Sequence, residues 1–209
     1  MKKAILGKKL GMTRIFGEND VSIPVTVVQC GPMTVVDRRT VDRNGYSAVV
    51  CAFEETKESR LNKPQLDFYK KVKVKPAKYL REFRYENADT YEVGNVIDCT
   101  MFAEGDMVDV SGVTKGHGFS GVIKRWNHHR LKMTHGTGPV HREVGSTGAN
   151  SNPSRRIKNL KMSGQYGHEN VTIQNLKVVK VDSARGVLLI RGAVPGPKGG
   201  LVTVRETVK

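Results

Sequence analysis

Residues 115–168 run for 54 positions with ten lysines and arginines and one acid, Glu143. The other 155 residues hold 25 basic and 19 acidic side chains, so about a quarter of the chain carries +9 of its +15 formal charge. The same segment contains all six histidines and nine of the 22 glycines, with few large apolar side chains. A stretch of this kind has little with which to build a core. Ordering its backbone costs about 1–2 kcal/mol per residue, on the order of 50–100 kcal/mol in all. Only an external partner can offset such a cost, and for a nearly acid-free segment that partner is a polyanion. The reading is a long basic extension, mobile when free and ordered on its partner. So long a piece without periodicity does not belong inside a compact domain.

Outside the segment the pattern is one of short β-strands. SIPVTVVQ (22–29) is β-branched and alternating, which puts Ile23, Val25 and Val27 on one face. Asn44-Gly45 stands between TVVDRRTVD and YSAVVCAF and predicts a tight hairpin turn that pairs the two runs. Further strands are expected at 93–102, 107–113, 171–181, 187–191 and 201–205. Many short strands with little helical periodicity indicate a mainly β barrel or sandwich. Residues 55–92 are charged and mixed, and read as an α+β insertion with a short helix near 65–72 and one strand. Cys30, Cys51 and Cys99 are odd in number, unevenly spaced and set in apolar runs, as expected for buried free thiols in a reducing compartment. The opening MKKAILGKKLGMTRIF has too short an apolar run for a secretory leader. No stretch nears the roughly 18–20 apolar residues of a membrane span. A cytoplasmic protein is expected.

Within the basic segment, KGHGFSGVIKRWNHHRLK (115–132) contains Gly116, Gly118 and Gly121 in the spacing G-x-G-x-x-G. A dinucleotide site would also need a following helix, a second parallel strand and an acid about 20 residues on. The sequel here is a basic Trp/His run, with no acid before Glu143. Glycine beside cations has another use, because a backbone without Cβ can approach phosphates closely. Lys115, His117, Lys124, Arg125, His128, His129, Arg130 and Lys132 supply cations and donors, and no nearby acids neutralise them. Trp126 can stack on an unpaired base or pack at the edge of the core, and the residues leave both open. His128, His129, His135 and His141 raise the question of zinc. No cysteine or acid lies at ligand spacing and H-E-x-x-H is absent, so donors to phosphate are the simpler reading. From 135 to 167 small polar residues with Pro139 and Pro153 make a thin strand suited to threading between RNA helices. Arg142 lies within it, and Arg155, Arg156, Lys158 and Lys161 flank its far side. A flexible Gly/Ser linker would not carry so many cations. The chain also lacks a phosphate-binding loop, a nucleophile elbow and spaced acid–base pairs, so it reads as non-enzymatic, with no cofactor, metal or small-molecule substrate. A membrane-surface protein would show a long basic amphipathic helix, which is missing. An RNA-modifying enzyme or a DNA-binding protein are the other classes such a charge map admits.

Five motifs carry a family resemblance: GKKLGMTRIF (7–16), VTKGHGFSGVIKRWN (113–127), THGTGPVHREVGSTG (134–148), KMSGQYGHENVTIQNLKVVKVD (161–182) and LLIRGAVPGPKGG (188–200). Together they resemble the bacterial large-subunit ribosomal protein L-three family nearly end to end, most weakly over 55–92. The resemblance implies a six-stranded β-barrel of the translation-protein type. From it a long irregular extension would reach through rRNA toward the peptidyl transferase centre. It implies early, direct binding to large-subunit rRNA and contact with neighbouring ribosomal proteins. On that likeness 1–54, 93–114 and 169–209 form the barrel, 55–92 decorates it, and 115–168 is the arm. The inner tip falls near Gly145, Ser146, Gly148, Asn150, Ser151 and Asn152. Some members carry a methylated glutamine where this chain aligns Ser151, so that modification is not expected. Lys8, Lys9 and Arg14 would join the arm's cations in contacting phosphates.

Overall fold

A computed structural model describes residues 1–17 and 20–208. Glu18, Asn19 and Lys209, which fall within the segments assigned to the barrel, lie outside the described residues. The chain divides into two units, Met1–Val113 with Asn170–Lys209, and Thr114–Glu169.

The first unit is mainly β. In chain order its strands are β1 (Ala4–Phe16), β2 (Ser22–Cys30), β3 (Met33–Arg39), β4 (Ala48–Glu55), β5 (Ala77–Phe83), β6 (Val96–Ile97) and β7 (Met107–Val113). After the second unit, whose two short strands take the labels β8 and β9, come β10 (Asn170–Asp182), β11 (Val187–Arg191) and β12 (Leu201–Glu206). Six of them close a barrel in the order β1-β12-β7-β10-β11-β2, every neighbour antiparallel. Closure leaves no free sheet edge. The remaining four form a separate sheet, β5-β4-β3-β6.

One apolar core serves both sheets. Ile5, Leu6, Val28, Val108, Val110, Leu188, Ile190 and Val204 from the barrel are buried in the same cluster as Met33, Val35, Cys51, Phe53 and Phe83 from the second sheet and Tyr85 just beyond β5. The join is bonded as well as packed. Gly31 N–H donates to Leu6 O at 3.2 Å, and the Tyr85 hydroxyl donates to Ala4 O at 2.6 Å. On the far side, α2 (Lys63–Val72) lays Tyr69 against Val36, Ala52 and Ala77. Its start is a capping box, Asn62 with Gln65, followed by Pro64 in the first turn, where a missing N–H costs nothing. Burial pushes the Cys51 thiol up to about 12, and raises Cys30 and Cys99 for the same reason. All three cysteines are free and buried, as their apolar settings predict.

Three local expectations are corrected. Asn44-Gly45 does not make a two-residue hairpin turn. The run after Arg39 winds into a single helical turn, α1 (Val41–Asn44), which Gly45 closes in the left-handed conformation at φ 79°. Its N–H returns to Val41 O at 2.8 Å. The pairing of β3 with β4 itself is as expected. On β2, Ile23, Val25 and Val27 share one face as expected, and of these Val25 is inaccessible to solvent while Ile23 is half-buried. Thr26 pairs with Ile190 and Val28 with Leu188, and Val28 and Cys30 join the core while Val27 is half-buried. The strand expected over 93–102 shortens to β6, followed by a 3₁₀ turn at Cys99–Met101. The barrel also does not take up all of 1–54. β3 and β4 leave it for the second sheet, and the unanticipated 13-residue β1 supplies the barrel strand.

The second unit holds β8 (Gly118–Ser120), α3 (Val122–Trp126) and β9 (Gly164–Tyr166). Turns and bends make up the rest. Val122 is its one fully buried apolar side chain among the described residues.

Candidate nucleic-acid interface

The second unit is tied together at its neck. Thr114 N–H donates to Glu169 O at 2.9 Å and His117 N–H to Tyr166 O at 2.8 Å, and β8 pairs with β9 from Gly118↔Tyr166 to Ser120↔Gly164. Gly167 makes this closure possible. Its φ is +72°, and a Cβ there would overlap the Lys115 carbonyl oxygen. His117 stacks on Tyr166 with ring centroids 5.0 Å apart.

Beyond the ladder, α3 runs into Asn127, which caps it in the left-handed conformation. This short helix sets Arg125 and Trp126 side by side facing the returning strand. Both converge on one acceptor: Trp126 Nε1 donates to Met162 O at 2.9 Å, and Arg125 Nη1 to the same oxygen at 3.0 Å. The Arg125 guanidinium lies 4.9 Å from the indole centroid, and Lys161 Nζ lies 5.7 Å from it. Trp126 therefore sits at a boundary, 38% exposed, with its N–H satisfied and two cations against its ring.

From 128 to 160 no residue is buried. What order there is comes from local bonds. Leu131 N–H donates to His141 O at 3.0 Å, and the His141 ring lies 3.2 Å from Lys132 O through Nδ1. At the expected tip, the Ser146 hydroxyl donates to Gly148 O at 3.2 Å. Gly145, Ser146, Gly148, Asn150, Ser151 and Asn152 are all exposed.

Carboxylate partners for cations are found in the first unit only, among the described residues. In the first, Lys3 pairs with Asp106 at 2.8 Å, Lys8 with Glu54 at 3.0 Å and Arg205 with the buried Asp109 at 3.8 Å. Lys9 Nζ donates to Val194 O at 2.6 Å and Gly196 O at 3.1 Å. Two residues expected to contact phosphate, Lys8 and Lys9, are thus engaged within the fold, whereas Arg14 is exposed on β1. In the second unit no lysine or arginine is within salt-bridge distance of a carboxylate among the described residues. Lys115, Lys124, Arg130, Lys132, Arg142, Arg155, Arg156, Lys158 and Lys161 are exposed, as are His117, His129 and His135; Arg125, His128 and His141 are half-buried. Among the described residues no cluster of three His, Cys, Asp or Glu is placed to hold a metal, and no helix is long and apolar enough to cross a membrane.

Some participants were not singled out from the sequence. The Met162 carbonyl is the shared acceptor, and Tyr166 and Gln165 come from the strand returning to the ladder. Pairing between residues so far apart in the chain leaves no periodic trace.

The family described as Ribosomal protein L3 matches this chain over residues 82–187. The large ribosomal subunit protein uL3 of Petrotoga mobilis is 52% identical over 207 residues, covering 99% of this chain and 96% of the relative. Its counterpart in Acetivibrio thermocellus is 50% identical over 210 residues, covering 100% of this chain and 99% of that protein. The match spans the β1 motif, the neck, the basic segment and the closing strands alike, and on this evidence the chain belongs to the ribosomal protein L3 family.

Proposed function

We propose that this protein binds large-subunit rRNA directly through residues 115–168, and that it does so early in subunit assembly. Membership of the family makes it a structural constituent of the ribosome in the cytoplasm, not an enzyme. The observation that carries the finer reading is the lack of internal counter-charge. Ten cations stand beside one acid, and none of them is ion-paired among the described residues.

The role is architectural. RNA segments brought close together repel through their phosphates, and a thin cationic strand laid between them displaces condensed counterions and lowers that repulsion. Small residues let such a strand pass where a helix about 10 Å across would not fit. In this reading the barrel and its second sheet remain at the subunit surface against neighbouring ribosomal proteins. The tip around Gly145 to Pro153 reaches toward the peptidyl transferase centre, with Ser151 unmethylated. Competition tests the choice of nucleic acid. In a filter-binding assay with labelled large-subunit rRNA, unlabelled folded rRNA should displace the probe at far lower concentration than duplex DNA of equal phosphate content. Equal displacement would sink the proposal.

A further inference from the structure

The β8–β9 ladder has one face that is occupied and one that is bare. Its register sets Phe119 opposite Gln165, flanked by Gly118 opposite Tyr166 and Ser120 opposite Gly164. Side chains alternate between the faces of a ladder, so Phe119 and Gln165 share one face while Ser120 and Tyr166 share the other. Ser120 is buried and Tyr166 stacks on His117. On the opposite face Phe119 is 81% exposed, the most exposed aromatic ring among the described residues. Gln165 beside it is exposed too.

A phenyl ring held out in water by a hydrogen-bonded ladder is positioned for something flat and apolar. The carboxamide opposite it donates one Nε2 hydrogen to Tyr166 O at 3.4 Å, which leaves a second donor hydrogen and the amide oxygen for a ligand. Together they match the two needs of an unpaired base, a surface for its π-face and a partner for its polar edge. The surrounding charge selects the occupant, since the ten cations and single acid of residues 115–168 favour a polyanion. The geometry points to Phe119 and Gln165 as a dock for one unstacked base of rRNA, Phe119 stacking on its face and Gln165 bonding its edge. This rests on the rRNA-binding reading above, and adds a base contact to a set of residues that otherwise meets phosphates.

The test uses the full-length protein and deproteinised large-subunit rRNA at fixed salt. Phe119→Ala should weaken binding by about 5- to 150-fold, the range for loss of one stacked base. The slope of log K against log salt should stay unchanged, because no phosphate contact is lost. Phe119→Trp should bind like wild type, while Phe119→Leu, apolar but without a π-face, should fall with alanine. Because the ring is so exposed, none of these changes removes buried contacts, and the tryptophan variant serves as the folded, binding-competent control. If wild type binds with a steep salt slope and Phe119→Ala binds equally well, the base dock is overturned and the rRNA reading stands. Leucine performing like phenylalanine overturns it also, in favour of apolar cover. Failure of wild type to bind rRNA removes both.

Discussion

Raising monovalent salt from 50 to 200 mM is expected to weaken binding of the full-length protein to large-subunit rRNA by about 10²- to 10⁴-fold. If six to eight cations touch phosphates, log K falls against log salt with a slope of about −4 to −7. The structure says which cations these should be. Lys8 is held by Glu54 and Lys9 by two backbone carbonyls, so Lys8→Gln should leave the slope almost as it is. Arg155, Arg156, Lys158 and Lys161 have no carboxylate partner among the described residues. Replacing all four with glutamine should flatten the slope by about 3 and cost affinity at low salt most of all. A slope near zero in the wild-type protein would mean that the charge on the second unit is not meeting phosphate.

The second large effect concerns the shared core. Leu6→Ala should destabilise the first unit by about 2–5 kcal/mol, the usual cost of emptying a fully buried leucine site. Leu6 is inaccessible to solvent and lies where the two sheets meet. It pairs with Thr203 across β1 and β12, its N–H lies 3.1 Å from Met33 Sδ at the start of β3, and its carbonyl accepts from Gly31. The barrel and the four-stranded sheet bury one cluster, so the cavity weakens both. Urea titrations followed by far-ultraviolet and by tyrosine near-ultraviolet circular dichroism should shift together to lower midpoints with one common transition. Two separated transitions would show that the second sheet unfolds independently of the barrel. Tryptophan fluorescence is the wrong probe here, because the only tryptophan, Trp126, belongs to the other unit.

Much of the barrel was legible from residue patterns because its strands satisfy local rules. β7 and β11 fall on the expected positions, and β2, β10 and β12 differ from expectation by a residue or so at their ends. Closure into a barrel was not legible from alternation alone, which fits a sandwich equally well; the family resemblance supplied it. The misses share a cause. β1 carries Lys8, Lys9 and Arg14 among its apolar residues, so alternation alone marks no strand there, and pairing with β12 and β2 makes it one. Asn44-Gly45 supplied the positive φ that the dipeptide favours, but at the end of a helical turn. In the second unit, the charge asymmetry was plain from composition. The meeting of Arg125 and Trp126 at Met162 O, and of Phe119 with Gln165, needed the fold.

The central claim is that residues 128–160 lack a packed core and owe their stability to RNA. Hydrogen–deuterium exchange of the full-length protein, followed by mass spectrometry with and without large-subunit rRNA, tests it most directly. In free protein at low salt, amides over 128–160 should exchange almost as fast as unstructured chain while those of β7, β10 and β12 stay protected, and rRNA should then slow them markedly. Protection across 128–160 in the free protein equal to that of the barrel strands would contradict the account.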